Sequence, residues 1–165
     1  MDDETYVIAS RTSTPGNKYY SYVDGQPVSP SEMYKQVEKF PKKFLIWQAI
    51  GSDGKVSPSK VLCGTMNTET YFETVKNILL TWIKKEYGAA NIVFWPDMAT
   101  PHYSKKVVAL LREEGVEFVE RNENAPNLPQ GRPIEQFWAI CKRELDVDIT
   151  DVNHMQKEWK KSPRR

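Results

Sequence analysis

Lys43-Phe44-Leu45-Ile46-Trp47-Gln48-Ala49-Ile50-Gly51 is the stretch that decides the fold. On a strand, Phe44, Ile46 and Ile50 point to one side, and Leu45, Trp47 and Ala49 to the other. A strand that is apolar on both pleats needs cover on both faces, so it belongs in a sheet with helices on each side. Ser52-Asp53-Gly54 follows as a tight-turn signal, and residues 55–63 read as the returning strand. Upstream, residues 4–10 read as a short strand. Residues 11–42 read as a loop rich in Ser, Pro, Gly and Tyr, with one short strand at 18–23 and a turn at Asp24-Gly25.

Downstream of Asn67 the period changes. Tyr71, Val75, Ile78, Leu79, Trp82 and Ile83 recur at helical spacing, with Asn67 or Thr68 as the cap and Gly88 past the end. Residues 91–95 return to strand. Thr100 before Pro101 predicts a cap and first turn, with Val107, Val108 and Leu111 as the buried stripe and Gly115 as the stop. Residues 116–119 read as a strand and 122–132 as a Pro- and Asn-rich loop. Pro133 opens a helix striped by Ile134, Phe137, Trp138, Cys141 and Leu145, and residues 151–161 read as a last helix. Strands alternating with helices imply right-handed crossovers, an α/β class, and one domain over residues 1–165.

The 165 residues suffice for one core, to which five Trp, eight Tyr and six Phe contribute. No apolar run is long enough to cross a bilayer, and the amino terminus lacks a basic-then-apolar secretory pattern. An intracellular protein with no membrane partner is expected. Cys63 and Cys141 sit far apart in apolar contexts, without zinc spacing, and read as buried thiols. The net charge of +1 lacks the basic excess common in DNA-binding domains. Lys157, Lys160, Lys161, Arg164 and Arg165 nevertheless crowd the carboxyl end, as a solvated helix end or a phosphate-contacting patch.

Three acids have settings that suit chemistry. Asp97 closes Asn-Ile-Val-Phe-Trp-Pro-Asp (91–97), at the carboxyl end of a strand, where α/β sheets place ligands. Glu135 is the third residue of its helix, where free backbone N–H groups favour a carboxylate. Residues 98 to 134, 37 positions, separate the two. Asp2 and Asp3 open the first strand, and either could be the third acid. Carboxylates brought together from two strands and a helix can hold divalent cations and support phosphoryl transfer.

The chain resembles the catalytic domain of mariner-type transposases over nearly all of residues 3–145. The segments that carry the likeness are Asp-Glu-Thr-Tyr (3–6), Phe-Leu-Ile-Trp-Gln-Ala-Ile (44–50), Phe-Trp-Pro-Asp-Met-Ala-Thr-Pro-His (94–102) and Asn-Ala-Pro-Asn-Leu-Pro-Gln-Gly-Arg-Pro-Ile-Glu-Gln-Phe-Trp (124–138). The family places Glu directly after its first catalytic Asp, which selects Asp3. The resemblance implies an RNase H-like fold, a five-stranded mixed sheet flanked by helices on both faces. It implies a two-metal Mg²⁺ or Mn²⁺ site held by Asp3, Asp97 and Glu135, the spacing of 37 matching a subgroup with Glu as third acid. The implied activity is cleavage of transposon-end DNA and joining to target DNA, in the nucleus, by a protein that dimerises at full length. His102 matches a His the family often carries and reads either as a core or helix-start histidine or as a DNA or metal-proximal contact; Arg132 reads as a phosphate-steering DNA contact or an ordinary loop arginine. Met98 departs from the usual Asn after the second acid. Family members carry amino-terminal helix-turn-helix modules, and this chain begins at the catalytic core, so a truncated catalytic domain is expected. A catalytically inactive DNA- or protein-binding remnant is the alternative. An RNase H-like nuclease acting on RNA–DNA hybrids shares the fold and metals.

Overall fold

The structure, a computed structural model, describes residues 1–9, 40, 42–88, 92–125, 131–145 and 149–161. The strand expected at 18–23 and the turn at 24–25 lie outside these residues, as do Arg164 and Arg165.

Strand β1 (Asp2–Ile8) pairs antiparallel with β2 (Lys43–Ala49) over seven residues, from Asp2 opposite Ala49 to Ile8 opposite Lys43. The strand starts earlier than expected, so Asp2, Asp3 and Glu4 all lie within the ladder. Strand β3 (Lys60–Leu62) pairs antiparallel with β2 and is shorter than the returning strand anticipated, although Ile50 also bridges Val56. β4 (Val93–Phe94) and β5 (Glu117–Phe118) form a parallel pair.

The strands form a three-stranded sheet, β1-β2-β3, and a two-stranded sheet, β4-β5, where one five-stranded sheet was expected. A long backbone bond of 3.4 Å from Asp2 N–H to the Trp95 carbonyl sets β4 beside β1. The α/β class read from the sequence is the one observed.

Helix α1 (Thr68–Thr74) starts at Asn67, whose side chain accepts from the Thr70 N–H, as the cap signal required. It runs through a π-helical turn at Val75–Leu79 into α2 (Leu80–Tyr87). The wide turn suits the stripe. Tyr71, Val75, Leu79 and Ile83 recur every four residues, and in an unbroken α-helix each step of four drifts by about 40°. Widening the middle turn brings all four back towards the sheet, where all are buried.

Thr100 and Pro101 open a 3-10 turn (Thr100–Tyr103) instead of capping an α-helix. Helix α3 (Lys105–Glu113) follows from Ser104. It ends as expected at Gly115, whose φ of +67° is left-handed. There Gly115 N–H reaches the Arg112 carbonyl and Val116 N–H the Leu111 carbonyl, a double bond pattern that satisfies the last turn. Helices α4 (Pro133–Arg143) and α5 (Val152–Trp159) complete the order.

Both faces of β2 are covered, as its pattern demanded. Trp47 and Ala49 pack with Tyr71, Val75, Leu79, Phe94 and Leu111 on one side. Phe44 and Ile46 pack with Val7, Ile134, Trp138, Met155 and Trp159 on the other. Cys141 is buried in this second core, while Cys63, just past β3, is exposed, against the expectation for it.

Trp159 anchors α5. It has no exposed surface, its ring lies 5.8 Å from that of Trp138, and its Nε1–H donates to Gln48 Oε1 at 2.9 Å. Trp159→Ala leaves a large void and an unpaired buried amide. A loss of about 3–5 kcal/mol is expected, read as a lower urea midpoint.

Candidate metal centre

The pleat of β1 sends adjacent acids to opposite faces. Asp2 and Glu4 sit opposite Ala49 and Trp47, on the α1–α2 side, whereas Asp3 sits opposite Gln48 and shares its side with Val7 and α4.

Asp2 is fully buried. Its Oδ2 accepts from Trp47 Nε1 at 2.8 Å and from the Tyr71 hydroxyl at 2.7 Å. Two donors from two elements make it an anchor between strand and helix. Asp3 is half-buried, and its Oδ1 accepts from the Glu4 N–H at 2.7 Å. Burial pushes the Asp3 carboxyl from 3.8 up to about 7; the Glu4 N–H bond opposes the rise and the charge of Asp97 adds to it.

Asp97 follows β4 across Trp95 and Pro96, at the strand's carboxyl end as the sequence suggested. Its Oδ2 accepts from the Ala99 N–H at 3.1 Å, which fixes the turn. Its Oδ1 lies 3.7 Å from Arg132 Nη2. Arg132 donates from Nη2 to the Asp2 carbonyl at 2.8 Å and from Nη1 to the Pro96 carbonyl at 3.4 Å, over the Trp95 ring. This expected DNA contact is thus engaged in tying β1 to the end of β4. Asn124 reinforces that end. Its Nδ2 donates to the Pro96 carbonyl at 2.9 Å, and its Oδ1 accepts from Trp95 Nε1 at 2.7 Å.

Glu135 is exposed in the first turn of α4, the position read from the sequence. Burial lowers the pKa of Lys142 on the same helix, while Glu135 and Asp3 both oppose that shift. The three expected acids are thus linked electrostatically, Asp3 to Asp97 and, through Lys142, to Glu135. They do not close into one tight set. Among the described residues, the His and acid side chains whose ligand atoms all lie within 4.8 Å of one another are Glu4, Asp97 and His102.

Glu4 was not singled out from the sequence, although strict alternation from Asp2 would have put it on the His102 side. His102 itself is buried, 1% exposed, and offers DNA no contact surface in this fold. Its Nε2 lies 3.3 Å from Glu4 Oε1 and 3.6 Å from Asp2 Oδ2. Burial would lower the pKa of the imidazole, but Asp2, Glu4 and Asp97 outweigh it and the pKa is raised. Burial likewise raises Glu4, against the pull of His102.

These residues suit a divalent cation. Carboxylate oxygens crowd together here, and the one cationic partner close to Glu4 Oε1 among the described residues is the His102 imidazole at 3.3 Å. The cavity of about 630 Å³ beside this edge is different in kind. It is lined mainly by apolar side chains such as Ile50, Trp82, Ile83 and Phe94, and by none of the acids.

A two-faced α/β domain with acids at the end of a parallel strand and on the neighbouring strand defines a class of fold, and comparison with known proteins narrows it. No family model matches the chain. It is 25% identical over 155 residues to the transposable element Tcb1 transposase of Caenorhabditis briggsae, covering 91% of this chain and 55% of that one. Its fold matches a pre-cleavage Mos1 transpososome with a TM-score of 0.63 at 16% identity, covering 99% of this chain and 52% of that one. It also matches the Mos1 mariner paired end complex with Mn, with a TM-score of 0.58 at 17% identity and again 99% and 52% coverage. The chain spans about half the length of these relatives. The likeness to mariner-type transposase catalytic domains read from the sequence holds in both sequence and fold. Among the described residues, no helix is long and apolar enough to cross a membrane.

Asp3, Glu4 and His102 all have raised pKa values, so the folded chain holds protons that the unfolded chain has released. In chelating buffer, stability is expected to fall as pH rises, with the Asp3 share lost between 3.8 and about 7. Asp3→Asn should flatten that slope in urea melts taken across the range.

Proposed function

We propose that this chain is the catalytic portion of a mariner-type transposase, which cleaves DNA strands at transposon ends and joins them to target DNA. The observation that carries the reading is that Arg132 ties the β1 backbone beside Asp3 to the Asp97 carboxylate, in a fold like that of the Mos1 transpososome. On this reading Asp3, Asp97 and Glu135 hold Mg²⁺ or Mn²⁺, in a two-metal arrangement. Bound there, the cations would activate the attacking hydroxyl and stabilise the leaving oxygen of an in-line displacement.

The chain's own residues supply positioning. The Ala99 N–H and Arg132 orient Asp97 from both carboxylate oxygens. Pairing with Gln48 holds Asp3 in register, and the first turn of α4 carries Glu135. Arg132 acts here by fixing β1 against Asp97 rather than by gripping phosphate. DNA is the partner, in a nucleus, and two copies meet across paired ends, in keeping with the paired-end assemblies that Mos1 forms. With a net charge of +1, affinity for DNA outside the paired-end assembly should be weak and fall steeply with salt.

The test is nicking of supercoiled plasmid with Mn²⁺. The parent chain is expected to nick, and Glu135→Gln to lose on the order of 10²-fold or more in rate. Equal cutting by both, or none by the parent, contradicts the reading.

A further inference from the structure

On the other side of β1, Glu4 and His102 have no part in the proposed catalysis, yet they gather around Asp97. Glu4, Asp97 and His102 come from a strand, the end of β4 and the following 3-10 turn, yet their ligand atoms lie within 4.8 Å of one another. His102 is 1% exposed, with Nε2 3.3 Å from Glu4 Oε1 and Nδ1 without a hydrogen-bond partner among the described residues. Asp2 Oδ1 is likewise buried and unpartnered. A core that closes over an imidazole and the carboxylates of Asp2 and Glu4 carries a large desolvation cost, which a bound cation would offset.

The spacing fits a cation. Two ligands at right angles, each about 2.1 Å from a metal, are about 3.0 Å apart, and opposed ligands about 4.2 Å apart. The 3.3 Å between His102 Nε2 and Glu4 Oε1 lies inside that range. An imidazole with two carboxylates suits Mn²⁺ or Zn²⁺ and disfavours Mg²⁺ and Ca²⁺, which prefer oxygen alone.

We infer that Glu4, Asp97 and His102 form a second divalent-cation site, on the α1–α2 side of β1 and distinct from the edge bordered by Asp3 and Glu135. Asp97 serves both sides, one carboxylate answering to two neighbourhoods. Asp2 lies beside the trio without joining it, with Oδ2 3.6 Å from His102 Nε2 and held by Trp47 and Tyr71. The Tyr71 ring packs against His102, ring centres 3.9 Å apart and planes tilted by 48°. The inference does not rest on strand cleavage. It needs only the geometry of these side chains.

Mn²⁺ binding to the chain, followed through the electron-paramagnetic signal of the free ion, tests it. Glu4→Gln and His102→Asn are each expected to weaken one Mn²⁺ equivalent at least tenfold. Glu135→Gln should leave that equivalent in place. Unchanged Mn²⁺ binding in Glu4→Gln and His102→Asn overturns the inference, and His102 is then an imidazolium paired with Glu4. Binding lost only in Glu135→Gln also overturns it, while supporting the proposed catalytic site. His102→Asn counts where its melt in EDTA shows a folded protein. Where it does not, Glu4→Gln, at the less buried position, decides.

Discussion

Seven paired residues between β1 and β2 impose the constraint on which everything else depends. The pleat of β1 must send Asp2 and Glu4 into one environment and Asp3 into the other. One environment is a closed core roofed by Tyr71 and His102, and the other is a half-open edge reached by α4. Adjacent carboxylates on one strand therefore serve opposite ends. Asp2 locks the strand to α1 through two donors, while Asp3 stays accessible, with a carboxyl raised close to neutrality.

Asp97 can stand between these environments because its backbone is wired from several directions. Arg132 holds the Asp2 and Pro96 carbonyls, Asn124 holds Pro96 and Trp95, and the Ala99 N–H caps the carboxylate. A strand of two residues, β4, could not fix an acid that lies three positions beyond it. The loop residues after β5 supply the rigidity instead, which is what a site needs if its ligands are to keep their geometry. Arg132 and Asn124 both come from the Pro- and Asn-rich segment. Its value here is in binding β1 to β4, where among the described residues one long backbone bond, Asp2 N–H to the Trp95 carbonyl, joins them.

Much of this was legible in the residues. The two-sided apolar pattern of 43–51 predicts both cores, and Asn67, Pro133 and Gly115 mark helix ends that the structure keeps. The lengths of β3, β4 and β5 were overread, because composition does not report where pairing stops. Thr100 misled because Pro101 suits the first turn of a 3-10 segment as well as that of an α-helix. The positions of Asp97 and Glu135 followed from local signals. The trio of Glu4, Asp97 and His102 did not, since it depends on how the turn after β4 folds back over β1, a contact between residues about a hundred positions apart. Arg132 shows the same limit. Its type suggested phosphate, and its neighbours made it a clamp.

The central claim is that a divalent cation sits at the edge shared by Asp3, Asp97 and Glu135. Fe²⁺ in place of the native ion, with ascorbate and peroxide, generates hydroxyl radicals that cut the backbone beside it. The account predicts cuts clustered near residues 3, 97 and 135, suppressed by excess Mg²⁺. Cuts scattered along the chain, or clustered where none of these residues lies, would contradict it.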